Sequence, residues 1–335
     1  MSMESGRASQ FERNADLERL LGELGELLKP AEQLALERSP GSSLPLVLIV
    51  GPPRSGTTLV MQWLAASGAF AYPTNLLSRF FHAPAVGARI QQLLTDPRFA
   101  HRDELAGIAH ELAFDSDLGK TQGPLAPNEF WYFWRRFLPT MDIEPLGAKL
   151  GDVDFQGLRT SLSALADVFG QPLAMKGMMV QYDIEAFARE LPNTLFLHVE
   201  REACANARSI LDARTHFFGD PGQWYSAKPP EYDALKDLTP AQQVAGQVVY
   251  TNDCIRVALE KLPEARSLHV PYERFCDDPA GIWSVLVDKV ASHGDTLPET
   301  HPSSATFKAT RGSGPTLADD VQSAILELTQ ESRIS

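Results

Sequence analysis

At 335 residues, with 44% hydrophobic and 22% charged positions, the chain can build one large α/β domain or two smaller ones and is too apolar for a disordered protein. Its net charge of −13, from 30 basic against 43 acidic residues, argues against nucleic acid or an anionic membrane as a partner. Any anionic ligand must therefore be captured by local cations and backbone dipoles.

Residues 1–14 are polar and carry no apolar core, so neither a signal peptide nor a membrane anchor is expected. Cys204, Cys254 and Cys276 are widely spaced, without a disulfide framework or a cysteine-type zinc motif. Together these features predict a soluble, cytoplasmic protein. Leu17, Leu20, Leu21, Leu24, Leu27 and Leu28 recur at helical spacing, which predicts an amphipathic helix stopping near Pro30. A Ser/Pro/Gly linker at Ser39–Ser43 leads into Leu46–Val50, an apolar run that reads as a buried strand.

That strand enters Gly51-Pro52-Pro53-Arg54-Ser55-Gly56-Thr57-Thr58, and Leu59–Leu64 then reads as the opening of a helix. Strand, glycine-bounded loop and helix start together form an anion cradle, because loop N–H groups, uncapped helix donors and the helix dipole all face one point. The spacing is that of a P-loop, but Thr57 occupies the slot of the lysine that serves nucleoside triphosphates, and the cation has moved to Arg54. Such a site suits a mononucleotide phosphate carrying a second anionic group, held without a metal. The stretch resembles the 5′-phosphosulfate loop of sulfotransferases that use 3′-phosphoadenosine 5′-phosphosulfate (PAPS), in the form found in the protein-tyrosine and bacterial branches. The resemblance implies a P-loop-like sulfotransferase fold, PAPS as donor, and cofactor contacts from Arg54, Ser55, Gly56, Thr57 and Thr58.

Further along, the resemblance assigns more residues. Related branches place a catalytic glutamate shortly after the loop helix, but no acid lies between Thr58 and Asp96. Glu129, heading the aromatic run Phe130–Phe137, reads first as a first-turn acid favoured by the helix dipole and is the best single candidate for the missing base. His82, His101 and His110 compete for the same role. Phe130, Phe133, Trp134 and Phe137 fall at helical spacing, either as core or as an acceptor pocket. Lys176, ending the strand Pro172–Lys176, matches the family's strand-end lysine and would stabilise charge on the departing phosphate, or is a surface cation. Met178 stands where cytosolic relatives carry a catalytic histidine.

Leu191–Arg201 reads as a second strong strand, with Arg201 at its carboxyl end, where α/β sheets hold ligands. Ser209 follows eight residues later on a helix predicted over Ala203–Ala213. This pair resembles the family's 3′-phosphate site. Residues 215–240 read as an irregular stretch, either a lid or a surface excursion. A helix opening at Thr239-Pro240 and running to Leu262 precedes a strand at Ser267–Val270. Tyr272, beyond it, matches a tyrosine near the adenine, or is a buried structural ring. Arg311, in a Gly/Ser context, corresponds to the basic segment that closes the nucleotide site in relatives.

The expected architecture is α/β, a mainly parallel sheet flanked by helices. Residues 1–45 form a helix and linker, and 46–335 a single sulfotransferase domain with a helical acceptor-binding insertion around 82–140. The expected reaction is sulfuryl transfer to a hydroxyl or amine of a small, apolar or aromatic acceptor, without a metal, releasing 3′,5′-adenosine bisphosphate. Arg54, Lys176 and Glu129 are the candidate catalytic residues. The alternatives are a P-loop small-molecule kinase and a nucleotide-binding module without catalysis.

Overall fold

The computed structural model describes residues 14–99, 116, 119–302, 306–309 and 318–331. Arg311, His101 and His110 lie outside them. Within them the chain runs α1 (Ala15–Glu37), β1 (Leu46–Val50), α2 (Thr57–Ala66), α3 (Pro84–Thr95), α4 (Trp131–Trp134), α5 (Phe155–Phe169), β2 (Leu173–Lys176), α6 (Ile184–Glu190), β3 (Thr194–Glu200), α7 (Ala203–Phe218), α8 (Tyr232–Leu235), α9 (Pro240–Glu260), β4 (Ser267–Pro271), α10 (Tyr272–Asp277), α11 (Pro279–Ser292) and α12 (Ala318–Glu331).

Among the described residues, four strands form one parallel sheet in the order β2-β1-β3-β4. Helical connections impose this: parallel neighbours need crossovers, and helices cover both faces. β1 is apolar at every position and wholly buried, as a central strand covered on both sides must be. Its side chains alternate between two cores. Leu46, Leu48 and Val50 join Met175, Phe196 and residues of α5, α6 and α9. Val47 and Ile49 join Ala174, Leu197, Val199 and the Trp63, Phe275 and Trp283 rings of α2, α10 and α11. A third cluster packs α7, α9 and α12 together. The register sets Ile49 beside Lys176, Val50 beside His198, and Glu200 beside Pro271, so the carboxyl ends of all four strands open at one edge.

Three predicted elements differ. The first helix does not stop at Pro30 but continues through it to Glu37. Tertiary anchoring supports the second half: Glu32 is buried and accepts hydrogen bonds from the Ala85 and Val86 N–H groups (3.1 and 3.0 Å), capping the start of α3. The aromatic run forms only a single turn, α4, not a helix headed by Glu129. Phe130 takes a left-handed conformation (φ 55°) before it, and Asn128 is held across to the 73–75 segment by Pro73 O and Asn75 Oδ1, both at 2.8 Å. Phe130, Phe133, Trp134 and Phe137 are nevertheless core, as one of the two readings held. The helix after Arg201 extends to Phe218, five residues further than expected; α9 opens at Thr239-Pro240 as expected, and there Thr239 and Gln242 also form a capping box. No helix among the described residues is long and apolar enough to cross a membrane.

Candidate active site

The loop between β1 and α2 sits where the strand ends open. Gly51 (φ 152°) lies against the Val199 carbonyl so closely that a Cβ would overlap it, and Gly56 (φ 105°) lies against the Tyr272 ring in the same way. Both contacts require glycine. Arg54 is held at φ 66°, a conformation non-glycine residues rarely adopt, and such strain collects at functional loops. Three residues from later in the chain tie the loop down. Arg201 Nη1 donates to Arg54 O (3.1 Å), Asn206 Nδ2 donates to Pro53 O (2.7 Å), and Gln181 Oε1 accepts from Gly51 N (3.2 Å). Arg54 Nε donates to Ser209 Oγ (3.3 Å).

Arg54, Arg201 and Ser209, spread over more than 150 positions of sequence, thus meet at one place. Tyr272 is buried under the Arg201 guanidinium, 5.1 Å from ring centroid to Cζ, and packs on Gly56. Two features leave the cradle open to an anion. The Ser55 hydroxyl is buried without a hydrogen-bond partner, and α2 begins at Gly56 with no side-chain cap.

Lys176 is not a surface cation; it is 5% exposed. Its Nζ donates to Thr58 Oγ1 (2.6 Å) and to Glu129 Oε1 (2.8 Å), so it joins the end of the loop to a carboxylate 47 residues upstream. Glu129 is therefore not a first-turn acid but an ion-pair partner of Lys176 ahead of the turn. Its other oxygen accepts from the Trp131 indole N–H. Gly119 lies near both Arg54 and Thr58, so that a Cβ there would come within 3.4 Å of Arg54 Nη1 and Thr58 Oγ1.

From this point two adjoining cavities open, sharing Gly119, Lys120, Glu129 and Trp131. One, about 330 Å³, reaches back to Thr58 and Lys176. The other, about 450 Å³, is walled by Trp131, Phe217, Trp224, Tyr225 and Tyr232. Four of these wall residues come from 215–240, which thus lines the cavity as a lid would. That wall is held from behind by Arg214, which is buried and donates to Gln243 Oε1 (2.6 Å), Gln247 Oε1 (3.3 Å) and Pro221 O (3.2 Å) while lying 5.0 Å from the Trp224 ring. Gln247 Nε2 in turn holds the Tyr225 and Ala227 carbonyls. Burial pushes the Arg214 guanidinium down to about 10, against the opposing charges of Asp220 and Tyr232. On the cavity wall, burial works against the Lys228 cation, but its 2.8 Å bond to Asp142 together with the charges of Asp142, Tyr232 and Glu144 raises it above its ordinary value.

The sulfotransferase family profile matches residues 45–290, which span the sheet, the loop and the cavity wall. The chain belongs to the sulfotransferase family. Its fold is similar to that of sulfotransferase STF9 from Mycobacterium avium, with a TM-score of 0.56 at 17% identity over 94% of this chain and 83% of that one. It is also similar to sulfotransferase STF1 from Mycobacterium tuberculosis H37Rv, with a TM-score of 0.51 at 14% identity over 92% and 82% of the two chains. No curated protein matches the sequence significantly.

For this sulfotransferase, sequence reasoning missed the residues that hold the site from behind. Asn206 and Gln181 grip the loop with uncharged side chains in ordinary helix and turn contexts, and nothing in the sequence sets them apart. The cavity wall gave a partial hint in the aromatic density of 217–232. His82, a competitor for the base, packs against Gly25 of α1 and lines neither cavity.

Proposed function

We propose that this sulfotransferase transfers a sulfuryl group from PAPS to a hydroxyl or amine of a small acceptor with an aromatic or apolar body. The observation that carries the reading is the Lys176 bridge, which ties Thr58 at the loop to Glu129 at the mouth of the aromatic cavity.

The residues present fit the donor. The unpartnered Ser55 hydroxyl, the uncapped start of α2 and Arg54 provide donors for a 5′-phosphosulfate, with Gly56, Thr57 and Thr58 completing the cradle. Arg201 and Ser209 lie close enough to select for a 3′-phosphate, which ATP lacks; Tyr272 shapes the floor beneath them, and Arg311 is assigned to closing the site. When bound, the donor supplies an activated sulfuryl group whose transfer needs in-line geometry and charge stabilisation rather than a covalent enzyme intermediate or a metal.

Glu129 then takes the acceptor proton as its oxygen or nitrogen bonds to sulfur. Lys176, within reach of both Glu129 and Thr58, stabilises the negative charge on the bridging oxygen as the sulfur–oxygen bond breaks. The aromatic cavity holds the acceptor body and excludes water. The products are the sulfated acceptor and 3′,5′-adenosine bisphosphate.

Calorimetric titration with 3′,5′-adenosine bisphosphate, AMP and ATP–Mg²⁺ tests the donor. Micromolar or tighter binding of the bisphosphate, with AMP and ATP–Mg²⁺ much weaker, is expected. Preference for ATP–Mg²⁺ would overturn it, and bisphosphate binding without turnover on a panel of phenols, alcohols and amines would leave only nucleotide binding.

A further inference from the structure

On the far half of the sheet, away from both cavities, β3 and edge strand β4 bring together a cluster with a different chemistry. His198 and His269 are register partners on the two strands, and Glu200 follows two residues after His198. Strand alternation therefore puts all three on one face, the one that α9 covers. Their ligand atoms lie within 4.8 Å of one another. His269 Nε2 is 2.8 Å from Glu200 Oε2, and the two imidazoles sit with centroids 5.6 Å apart.

We propose that His198, Glu200 and His269 form a binding site for a late first-row divalent metal ion of the zinc class. Two imidazoles and one carboxylate are the donor set such ions select, and a tetrahedral ion takes three protein ligands with water as the fourth. Metal–ligand bonds of about 2.0–2.2 Å place tetrahedral ligand atoms roughly 3.3–3.6 Å apart, so small side-chain rotations close the cluster. The ion would replace the proton that bridges Glu200 and His269.

Three surrounding features agree. Asn252 Oδ1 lies 3.0 Å from His198 Nε2, and a carboxamide oxygen on one ring nitrogen leaves the lone pair on the other, as outer-shell partners of metal-bound histidines do. The ligands line an open cavity of about 410 Å³, with room for water and for entry. That cavity holds three carboxylates, Glu200, Glu260 and Glu264, against the single guanidinium of Arg256, which is already paired with Asp253 (2.5 Å) and Glu260 (3.7 Å). An ion here rivets the edge strand to β3, directly before Arg201 and three positions before Tyr272.

The experiment is calorimetric titration of the tag-free full chain with zinc chloride, paired with the visible absorption spectrum on adding Co²⁺. One equivalent binding with micromolar or tighter affinity is expected. His269→Ala and Glu200→Gln, both at partly exposed positions, should each weaken it at least tenfold and abolish the Co²⁺ band. Asn252→Ala should weaken it about 10- to 100-fold by freeing the His198 ring. Thermal melts of each apo variant establish that it is folded. Absence of saturable binding, or binding unchanged in folded His269→Ala and Glu200→Gln, would overturn the assignment.

Discussion

The loop end of the candidate active site and the aromatic cavity beside it are built in opposite ways. The loop is one contiguous stretch, Gly51–Thr58, whose conformation is forced by two glycines pressed against Val199 and Tyr272 and by Arg54 held left-handed. The cavity is assembled from Gly119–Lys120, Glu129–Ile143 and Phe217–Tyr232, segments with little regular structure, pinned from behind by the buried Arg214–Gln243–Gln247 group. The difference teaches where variation can enter. A cradle for a fixed group tolerates almost no change in backbone, whereas a wall of loop side chains on a rigid anchor can be reshaped without disturbing it.

That contrast can be broken most severely where the two regions join. Glu129→Gln should lower kcat by about 10²–10⁴-fold if Glu129 is the base, while leaving bisphosphate affinity within a few-fold. Acceptor-dependent release of 3′,5′-adenosine bisphosphate reads the first and calorimetry the second. Equal losses in both would assign Glu129 to structure alone. On the cradle side, Arg54→Ala removes a charge-assisted donor and should cost about 1.5–3 kcal/mol in bisphosphate binding, with a larger loss in turnover. Unchanged affinity would remove Arg54 from the site.

On the cavity side, Arg214→Leu deletes the anchor of Trp224 and of the Pro221 carbonyl, and the donors that fix Gln243 and Gln247, the latter of which holds the Tyr225 and Ala227 carbonyls. Unfolding should become easier by about 1–3 kcal/mol, and the KM for acceptor should rise while bisphosphate affinity holds. A parallel loss of bisphosphate affinity would show that the two regions are not separable.

The smallest effect is expected outside both, at Glu32. Glu32→Gln replaces one acceptor of the α3 cap by a donor and should cost about 1 kcal/mol at neutral pH. Burial is the main cause that raises the Glu32 carboxyl above its ordinary value of 4.5, against the Ala85 and Val86 N–H groups and the charges of Arg136 and Arg89. The folded chain therefore holds this proton more tightly than the unfolded one. Its contribution is greatest below the unfolded value and falls as pH rises through the folded one, so the deficit of the variant should be larger near pH 4 than near pH 7 in thermal melts. A deficit that grows with pH would reverse the sign of the burial effect.

How much was legible follows the same division. The strand–loop–helix at Leu46–Leu64 could be read directly, because every constraint on it is local: an apolar strand, glycines where the backbone is crowded, a cation and hydroxyls in register. Arg201 and Ser209 were legible as a strand end and the helix after it. Glu129 was named, but for a helix that does not form; its place beside Lys176 depends on Asn128 being held to the 73–75 segment, and no pattern in one sequence announces that pairing. Pro30 misled for a related reason, since docking of Glu32 on α3 outweighs the local cost of proline in a helix.

The sequence by itself determined the parallel α/β sheet and the glycine-bounded loop between β1 and α2, because periodicity, glycine placement and strand-end charge act over a few residues. Only the tertiary structure decided that Lys176 joins Thr58 to Glu129, that Phe217–Tyr232 closes an aromatic chamber, and that His198, Glu200 and His269 share one face. These depend on which strand lies beside which and on how distant segments pack, and such long-range choices are made by the whole core at once.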